Sequence, residues 1–421
     1  MAKIVPFCGL RYNEKVLDNI NAVFAPPYDV ISEAEQKRLY AQHPYNVVRL
    51  ILGKTFKDDN SQNNRYTRAE CLLNEWTRKG IFVFDKLPSI YIYTQDYVIN
   101  GINKTMFGFI AGMQFEKGCG CLPHEHTLSK PKQDRMELLK RVQANLSPIY
   151  SFYLDQNNSV EDVLKPFMQE SPLLDFLDAD NVRHKFWQIS DQQVIDQVRD
   201  LMLPMQLFIA DGHHRYEVMR TYYEQMCEQN KDIRNKCNYV MMYFTSFNKN
   251  KLTVLPTHRL LKDVADICAK LKELEKYFYC RNVNNLEELT NLQSQAKGFA
   301  VGMYYNGCLS LLQIKNNKLL DNLMRDCPVE WRELDVAMLN KIVFEHIFNL
   351  NEEQKEQKIS YTRDINFAFS AVDRNDCMLA FFPNPTKLEQ VKKIAQAHNK
   401  MPQKSTYFYP KPITGLVINK F

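Results

Sequence analysis

The sequence predicts an α+β protein of mixed α/β order, and three observations carry that expectation. Strand-like apolar runs alternate with amphipathic helical stretches, without the strict rhythm of a pure α/β fold. A long alternating pattern is broken only at Asn100-Gly101, which reads as a hairpin. A short apolar run, Gln206 to Ala210, passes through a polar turn directly into a helical pattern. At 421 residues the chain exceeds the usual size of one domain, so two lobes are expected.

The elements follow in order. "APPYDVI", Ala25 to Ile31, is a loop, because adjacent prolines forbid a regular helix there. "SEAEQKRLYAQH" is a helix, with Ser32 and Glu35 at capping-box spacing. "NVVRLILG" reads as a buried strand. "NRYTRAECLLNEWTRKGIF" is an amphipathic helix through Tyr66, Ala69, Leu72, Leu73 and Trp76, ended by Gly80. The hairpin spans Ser89 to Met113. A polar loop, a charged helix and a strand then occupy Leu122 to Asp155. "HKFWQIS" is a strand and "DQQVIDQVRDLM" a helix. After Asn230, "NYVMMYFTSF" and "LTVLPTHRLL" return to strand. Asp263 to Tyr279 has helical spacing. "GFAVGMYYNGCLSLLQI" is hairpin-like, and helices dominate from Leu319 to Gln357. The tail from Lys400 is rich in proline, lysine and aromatics.

Composition narrows the class. Hydrophobic residues make up 45%, aromatics 12% and charged residues 24%, which is ordinary for a soluble globular chain with a substantial core. A formal charge of +5 suits anionic ligands but argues against a nucleic-acid coat. Eleven cysteines show no framework or CxxC spacing, which reads as reduced thiols in a cytoplasmic protein. "MAKIVPFCGLRYN" has no apolar core of a secretory signal. No run approaches the roughly 20 apolar residues of a membrane span, so no membrane partner is expected.

The stretch that carries chemistry is "LFIADGHHRYEVM", Leu207 to Met219. The first backbone N–H groups of a helix lack internal partners, and the helix dipole favours negative charge there. Gly212 lets backbone approach a ligand. Arg215 can grip a phosphate with two donors. His213 and His214 add donors or proton-transfer groups. Asp211 can cap the helix, hold Mg²⁺ or orient a histidine.

"ADGHHRYEV" resembles the DGHHR box of the ParB/sulfiredoxin-like superfamily, including free-serine kinases of the SerK type. "PPYDVI", "PYNVVRL", "HEHTLSKPKQDR", "ANLSPIY", "LPTHRLL" and "MPQKSTYFYPKPITGL", in that order, resemble the bacterial and archaeal family called domain of unknown function 1015. The resemblance implies a ParB/sulfiredoxin-like strand–DGHHR–helix core with α+β elaborations. It implies a catalytic region over 1–260, an accessory α+β domain over 261–400, and a segment over 401–421 returning to the catalytic region. It also implies ATP-dependent phosphorylation of free L-serine to O-phosphoserine, with Mg²⁺ carried by ATP and ADP as an alternative donor.

A kinase acting on a hydroxyl needs a carboxylate to orient it and accept its proton. Glu125, in "HEHT", is the first candidate, since the superfamily's serine kinases resemble this chain in placing an acid before the DGHHR box. Asp29 is the second. His124 joins the phosphate-binding set, as do Lys404, Ser405 and Thr406, which the resemblance brings back over the phosphate. Arg135 and Arg11 are candidates for the serine carboxylate. A zinc set of His124, His126 and His213 or His214 competes, but HxH without HExxH or CxxC is a weak signal. There is no Walker A box and no protein-kinase signature. The alternative function is a ParB-like nucleotide-binding regulator or DNA-associated protein without turnover. A homo-oligomer is compatible with either.

Overall fold

The structure is a computed structural model that describes residues 2–115, 121–123, 125, 129–229, 237–247, 252–316 and 321–421. The chain divides into two packed units. One comprises Met1–Leu122, Thr127–Thr253 and Pro410–Phe421, and the other Pro123–His126 and Val254–Tyr409. Both mix helices with sheets, so the α+β class holds.

The first unit is built on a nine-stranded sheet. In chain order its strands are β1 (Ile4–Val5), β2 (Ile90–Ile99), β3 (Ile102–Gln114), β4 (Cys121–Leu122), β5 (Ile149–Tyr153), β6 (Leu174–Leu177), β7 (Arg183–Ile189), β8 (Leu207–Asp211) and β9 (Tyr239–Ser246). They lie in the order β4-β8-β5-β9-β3-β2-β7-β6, and β1 pairs with β3. β8 runs parallel to β4 and antiparallel to β5, and β9 runs parallel to β5. The remaining pairs are antiparallel. The β2–β3 hairpin turns at Asn100 and Gly101, both at positive φ (51° and 74°), as a two-residue turn requires.

Helices α1 (Glu33–Gln42), α2 (Arg65–Arg78), α3 (Ser129–Val142), α4 (Gln192–Met202) and α5 (His213–Gln229) accompany the sheet. The Ser32 hydroxyl accepts from Glu35 N at the start of α1. Asn64 and Thr67 form a reciprocal capping box on α2, whose buried face is Ala69, Leu73 and Trp76. α3 packs on both α2 and α5. The core is aromatic where it meets β8, with the Phe152 and Phe208 rings stacked at 5.1 Å. α4 joins this core through its buried face of Ile195, Val198 and Met202.

One expected strand is a helix. In "NVVRLILG", Val48–Ile51 forms a single helical turn. A short apolar run does not distinguish a buried strand from a buried helical turn. The buried Asn46 decides it. Its amide donates to Ala22 O (2.8 Å) and Phe24 O (2.9 Å), and its oxygen accepts from Val48 N (2.9 Å), which starts the turn. The helix expected over 263–279 is also shorter. It begins at Ile267, where the Asp266 side chain caps it, and gives way to strand at Phe278.

The second unit holds a six-stranded sheet. Its strands are β10 (His258–Leu261), β11 (Phe278–Asn282), β12 (Ala300–Tyr305), β13 (Cys308–Ile314), β14 (Ile359–Thr362) and β15 (Leu379–Phe382). Their order is β11-β13-β12-β15-β10-β14. The β12–β13 hairpin is the one expected from Gly298 to Ile314. Leu260, Leu289, Leu311, Ala371 and Phe382 centre its core.

His258 sits on β10 inside this unit, edge-on to Phe382 with ring centroids 5.1 Å apart. Its Nδ1 has no hydrogen-bond partner among the described residues. Burial pulls the imidazole down to about 4, the Arg259 guanidinium adds to the effect, and Asp364 opposes it. Between that value and the ordinary 6.5, the unfolded chain binds a proton that the folded chain refuses. Stability is therefore full above pH 6.5 and falls as the pH drops toward 4, by up to about 3 kcal/mol at roughly 1.4 kcal/mol per unit. Urea unfolding across that window should show a steeper loss in the wild type than in His258→Leu.

Candidate functional site

The strand–turn–helix lies in the first unit. Leu207 to Ala210 are buried, which anchors the strand and lets only its end reach a polar environment. The pairing of β8 with β5 slips between Ile209 and Asp211. A bulge of this kind re-aims the next side chain, and here that residue is Asp211. Gly212 follows at φ +93°, a conformation that L side chains rarely adopt. A Cβ at Gly212 would lie 2.9 Å from Arg215 Nη2. The turn thus needs glycine twice, for its backbone and for the guanidinium folded over it. α5 then runs for 17 residues from His213.

Asp211 is held from two sides. Its Oδ2 accepts from Arg215 Nη2 at 2.9 Å, and its Oδ1 lies 2.5 Å from Lys411 Nζ. Lys411 Nζ also donates to Asp29 Oδ2 at 2.7 Å. Two carboxylates meet one ammonium and one guanidinium, so the formal charges of the four cancel. The Lys411 side chain is only 7% exposed. Pro410 and Pro412 restrict its backbone, and its carbonyl accepts from the buried Gln95 amide at 3.1 Å.

Arg215 is tied into the fold. Besides Asp211, it donates to Pro148 O, just before β5, and its Nε has no partner among the described residues. Its two outer nitrogens therefore brace the turn in this structure, where the sequence suggested a grip on phosphate. His213 is buried at the first turn of α5, and His214 is half-buried beside it. Arg215 also borders a small cavity of about 60 Å³ lined by Tyr28, Arg135 and apolar side chains including Leu139, Val142 and Met219. Burial pushes the Tyr28 phenol up, while Arg135 pulls it the other way.

The other expected residues are distributed as follows. Asp29 belongs to the cluster through Lys411. Arg135 is buried, stacks over the Tyr28 ring at 3.9 Å, and donates to Asp134 Oδ2 (2.7 Å) and Ile51 O (2.7 Å). Arg11 Nη2 donates to Asp85 Oδ1 at 2.7 Å and Arg11 Nε to both Asp85 oxygens at 2.9 and 3.1 Å, and Asp85 Oδ2 also accepts from Tyr91 OH. Both arginines thus already hold carboxylates of the fold. Glu125 falls in the second unit. There it bridges to Met401 and accepts from the Thr406 hydroxyl at 2.9 Å and the Thr406 amide at 3.3 Å. Ser405 is buried, with its hydroxyl on Pro402 O (2.6 Å). Lys404 is exposed, and its carbonyl accepts from Arg259. The tail is divided, with 401–409 in the second unit and 410–421 in the first. His124 and His126 lie outside the described residues.

The donor set does not suit a protein-held Mg²⁺ at Asp211. One oxygen of Asp211 faces an ammonium and the other a guanidinium, and Asp29 shares the same ammonium. Among the described residues, no group of three or more His, Cys, Asp or Glu side chains is placed to hold a metal ion. Nor is any described helix long and apolar enough to cross a membrane. Lys411 is the residue that sequence reasoning missed. Its only signal was its place in "YPKP", a lysine locked between two prolines.

An α+β protein with a glycine-turned strand–helix junction and paired charges at the turn is the class that fold and site define. The chain belongs to the family described as "Protein of unknown function (DUF1015)", whose model matches residues 4–337. No curated protein matches it. Among solved structures, it is similar to a conserved hypothetical protein from Pyrococcus furiosus at 10% identity and TM-score 0.36, covering 70% of this chain and 89% of that one. It is also similar to SbnI with C-terminal truncation from Staphylococcus aureus, at 10% identity and TM-score 0.38, covering 73% and 86%. A third is a mutant free serine kinase in complex with AMP, at 10% identity and TM-score 0.38, covering 71% and 89%.

The turn makes a stability prediction. Gly212→Ala should cost about 1–3 kcal/mol through backbone strain and collision with Arg215. In an Arg215→Ala background the same change should cost less, because the collision is gone. Denaturant unfolding of the four proteins of this double-mutant cycle measures the difference.

Proposed function

We propose that the chain is a phosphotransferase with an alcohol group as acceptor, which uses ATP to phosphorylate free L-serine to O-phosphoserine. The observation that carries this reading is the junction at Asp211 to Arg215. A buried strand turns through Gly212 into the N-terminus of a long helix, with a buried ammonium and a guanidinium beside it. Such a terminus favours an anion through its backbone N–H groups and its dipole. Phosphate is the anion that the reading assigns to it. The donor and the acceptor come from the resemblance of the DGHHR box to that of the free-serine kinases.

In the reaction, the serine hydroxyl oxygen attacks the γ-phosphorus of ATP. A new O–P bond forms, the bond to the β,γ-bridging oxygen breaks, and ADP leaves. The hydroxyl proton passes to a carboxylate. Glu125 takes this role first and Asp29 second. Mg²⁺ would come bound to the nucleotide and would neutralise phosphate oxygens there, while the chain contributes position and fixed charge. His213, His214 and the 404–406 segment complete the phosphate-binding set. Arg135 and Arg11 enter as scaffold, since each already pairs with an aspartate. The reading implies a cytoplasmic protein, where ATP and free amino acids are supplied.

Purified protein with ATP, Mg²⁺ and L-serine should yield O-phosphoserine and ADP, identified by mass spectrometry, and ADP in place of ATP tests the donor. Glu125→Gln should keep nucleotide affinity and lose about two or more orders of magnitude in turnover, since it removes the proton acceptor and preserves shape. Nucleotide binding without any phosphorylated amino acid or small alcohol overturns the kinase and leaves a nucleotide-binding regulator.

A further inference from the structure

Lys411 stands where a phosphate-handling site would ordinarily hold a divalent cation between two carboxylates. Its Nζ is 2.7 Å from Asp29 Oδ2 and 2.5 Å from Asp211 Oδ1, and its side chain is 7% exposed. Neither carboxylate is close to Lys411 in sequence, so this is a tertiary clamp. The backbone that carries the ammonium is restrained by Pro410 and Pro412 and by the Gln95 amide on the Lys411 carbonyl. The far oxygen of Asp211 is occupied by Arg215, which is itself braced on Pro148 O. A lysine held in this way does not need to be recruited by a ligand. It is already in place beside the N-terminus of α5.

We infer that Lys411 is a resident counter-cation that fills the place of a protein-bound metal at this site and makes it selective for anions over free divalent cations. The physical argument is charge balance. With Lys411 present, Asp29 and Asp211 are neutralised, and an incoming phosphate meets the helix terminus without two opposing carboxylates. With Lys411 removed, the two carboxylates lose the ammonium they share, in a partly exposed space where Arg215 still faces Asp211. Two close carboxylates in such a space either take up a proton or bind a hard divalent cation through oxygen. The same substitution should therefore reverse the preference of the site. Asp29 and Asp211 are positioned by Lys411 and do not ligate metal while it is there. The anion named here rests on the reading of the junction as a phosphate site. The cation half of the inference does not.

The test uses the full chain as wild type, Lys411→Arg, Lys411→Met and the double variant Asp29→Asn with Lys411→Met. Two probes are titrated separately. They are Mn²⁺ alone, followed by electron paramagnetic resonance, and metal-free ADP, followed by calorimetry. Lys411→Met should bind Mn²⁺ at least about tenfold more tightly than wild type and metal-free ADP at least about tenfold more weakly, as expected when a buried positive charge is exchanged for exposed carboxylate oxygens. Lys411→Arg keeps the charge and should not gain Mn²⁺. The double variant retains one carboxylate and should lose the Mn²⁺ gained by Lys411→Met. If Lys411→Met is too unstable to titrate, its melting temperature gives the same reading, because Mn²⁺ should raise it and leave that of the wild type unchanged. Wild type and Lys411→Met that take up Mn²⁺ equally, or an unstable Lys411→Met that Mn²⁺ fails to rescue, overturn the inference. A wild type that binds no ADP overturns the phosphate reading of the junction, and the Mn²⁺ arm still decides the role of Lys411.

Discussion

A single ammonium, Lys411 Nζ, joins Asp29 and Asp211 across nearly the whole length of the chain. A charge buried to this depth is stable only when paired. The pairing therefore constrains three segments at once, namely the loop after Pro27, the end of β8 and the segment that follows Tyr409. Removing the ammonium would take a shared partner from both carboxylates, and removing either acid would take one carboxylate from the ammonium. The geometry at the turn follows from this clamp. Asp211 is fixed by Lys411 on one oxygen, which leaves the other to orient Arg215 over Gly212.

The strand–turn–helix gains its shape from local features that act together. The bulge before Asp211 turns the side chain out of the sheet's alternation. Gly212 supplies a φ that other residues resist, and it leaves room for the guanidinium. β8 is flanked by β4 and β5, so its backbone is held on both sides and the turn does not drift. The packing of α3 on α5 brings Arg135 to Tyr28 and forms the small cavity below Arg215. The first unit thus holds a dense set of charges on a frame of paired strands and packed helices.

The second unit has its own polar centre. Glu125 accepts two hydrogen bonds from Thr406, and Arg259 donates to carbonyls of Thr257 and Lys404. These contacts organise the 401–406 segment. Ser405 and Thr406 direct their hydroxyls to Pro402 and Glu125, while Lys404 remains exposed.

The sequence by itself determined the α+β class, the long hairpin at Asn100-Gly101, the capped helix at Ser32, the amphipathic helix through Trp76, and the strand–turn–helix around Gly212. Each depends on neighbours within a few positions, through alternation, capping or a required φ, and such information is local. The helical turn at Val48 was beyond it, because a short buried apolar run has no period of its own and Asn46 decides the outcome through carbonyls more than 20 residues away. Arg11 and Arg135 read as candidate ligand groups because a lone arginine carries no mark of its partner. Only folding brought Asp85 to Arg11, and the Ile51 carbonyl and the Tyr28 ring to Arg135, whose acid partner Asp134 is its neighbour in sequence. Lys411 is the clearest case. Its position between two prolines was visible, but its role depends on two aspartates that the tertiary structure alone brings within reach of one ammonium.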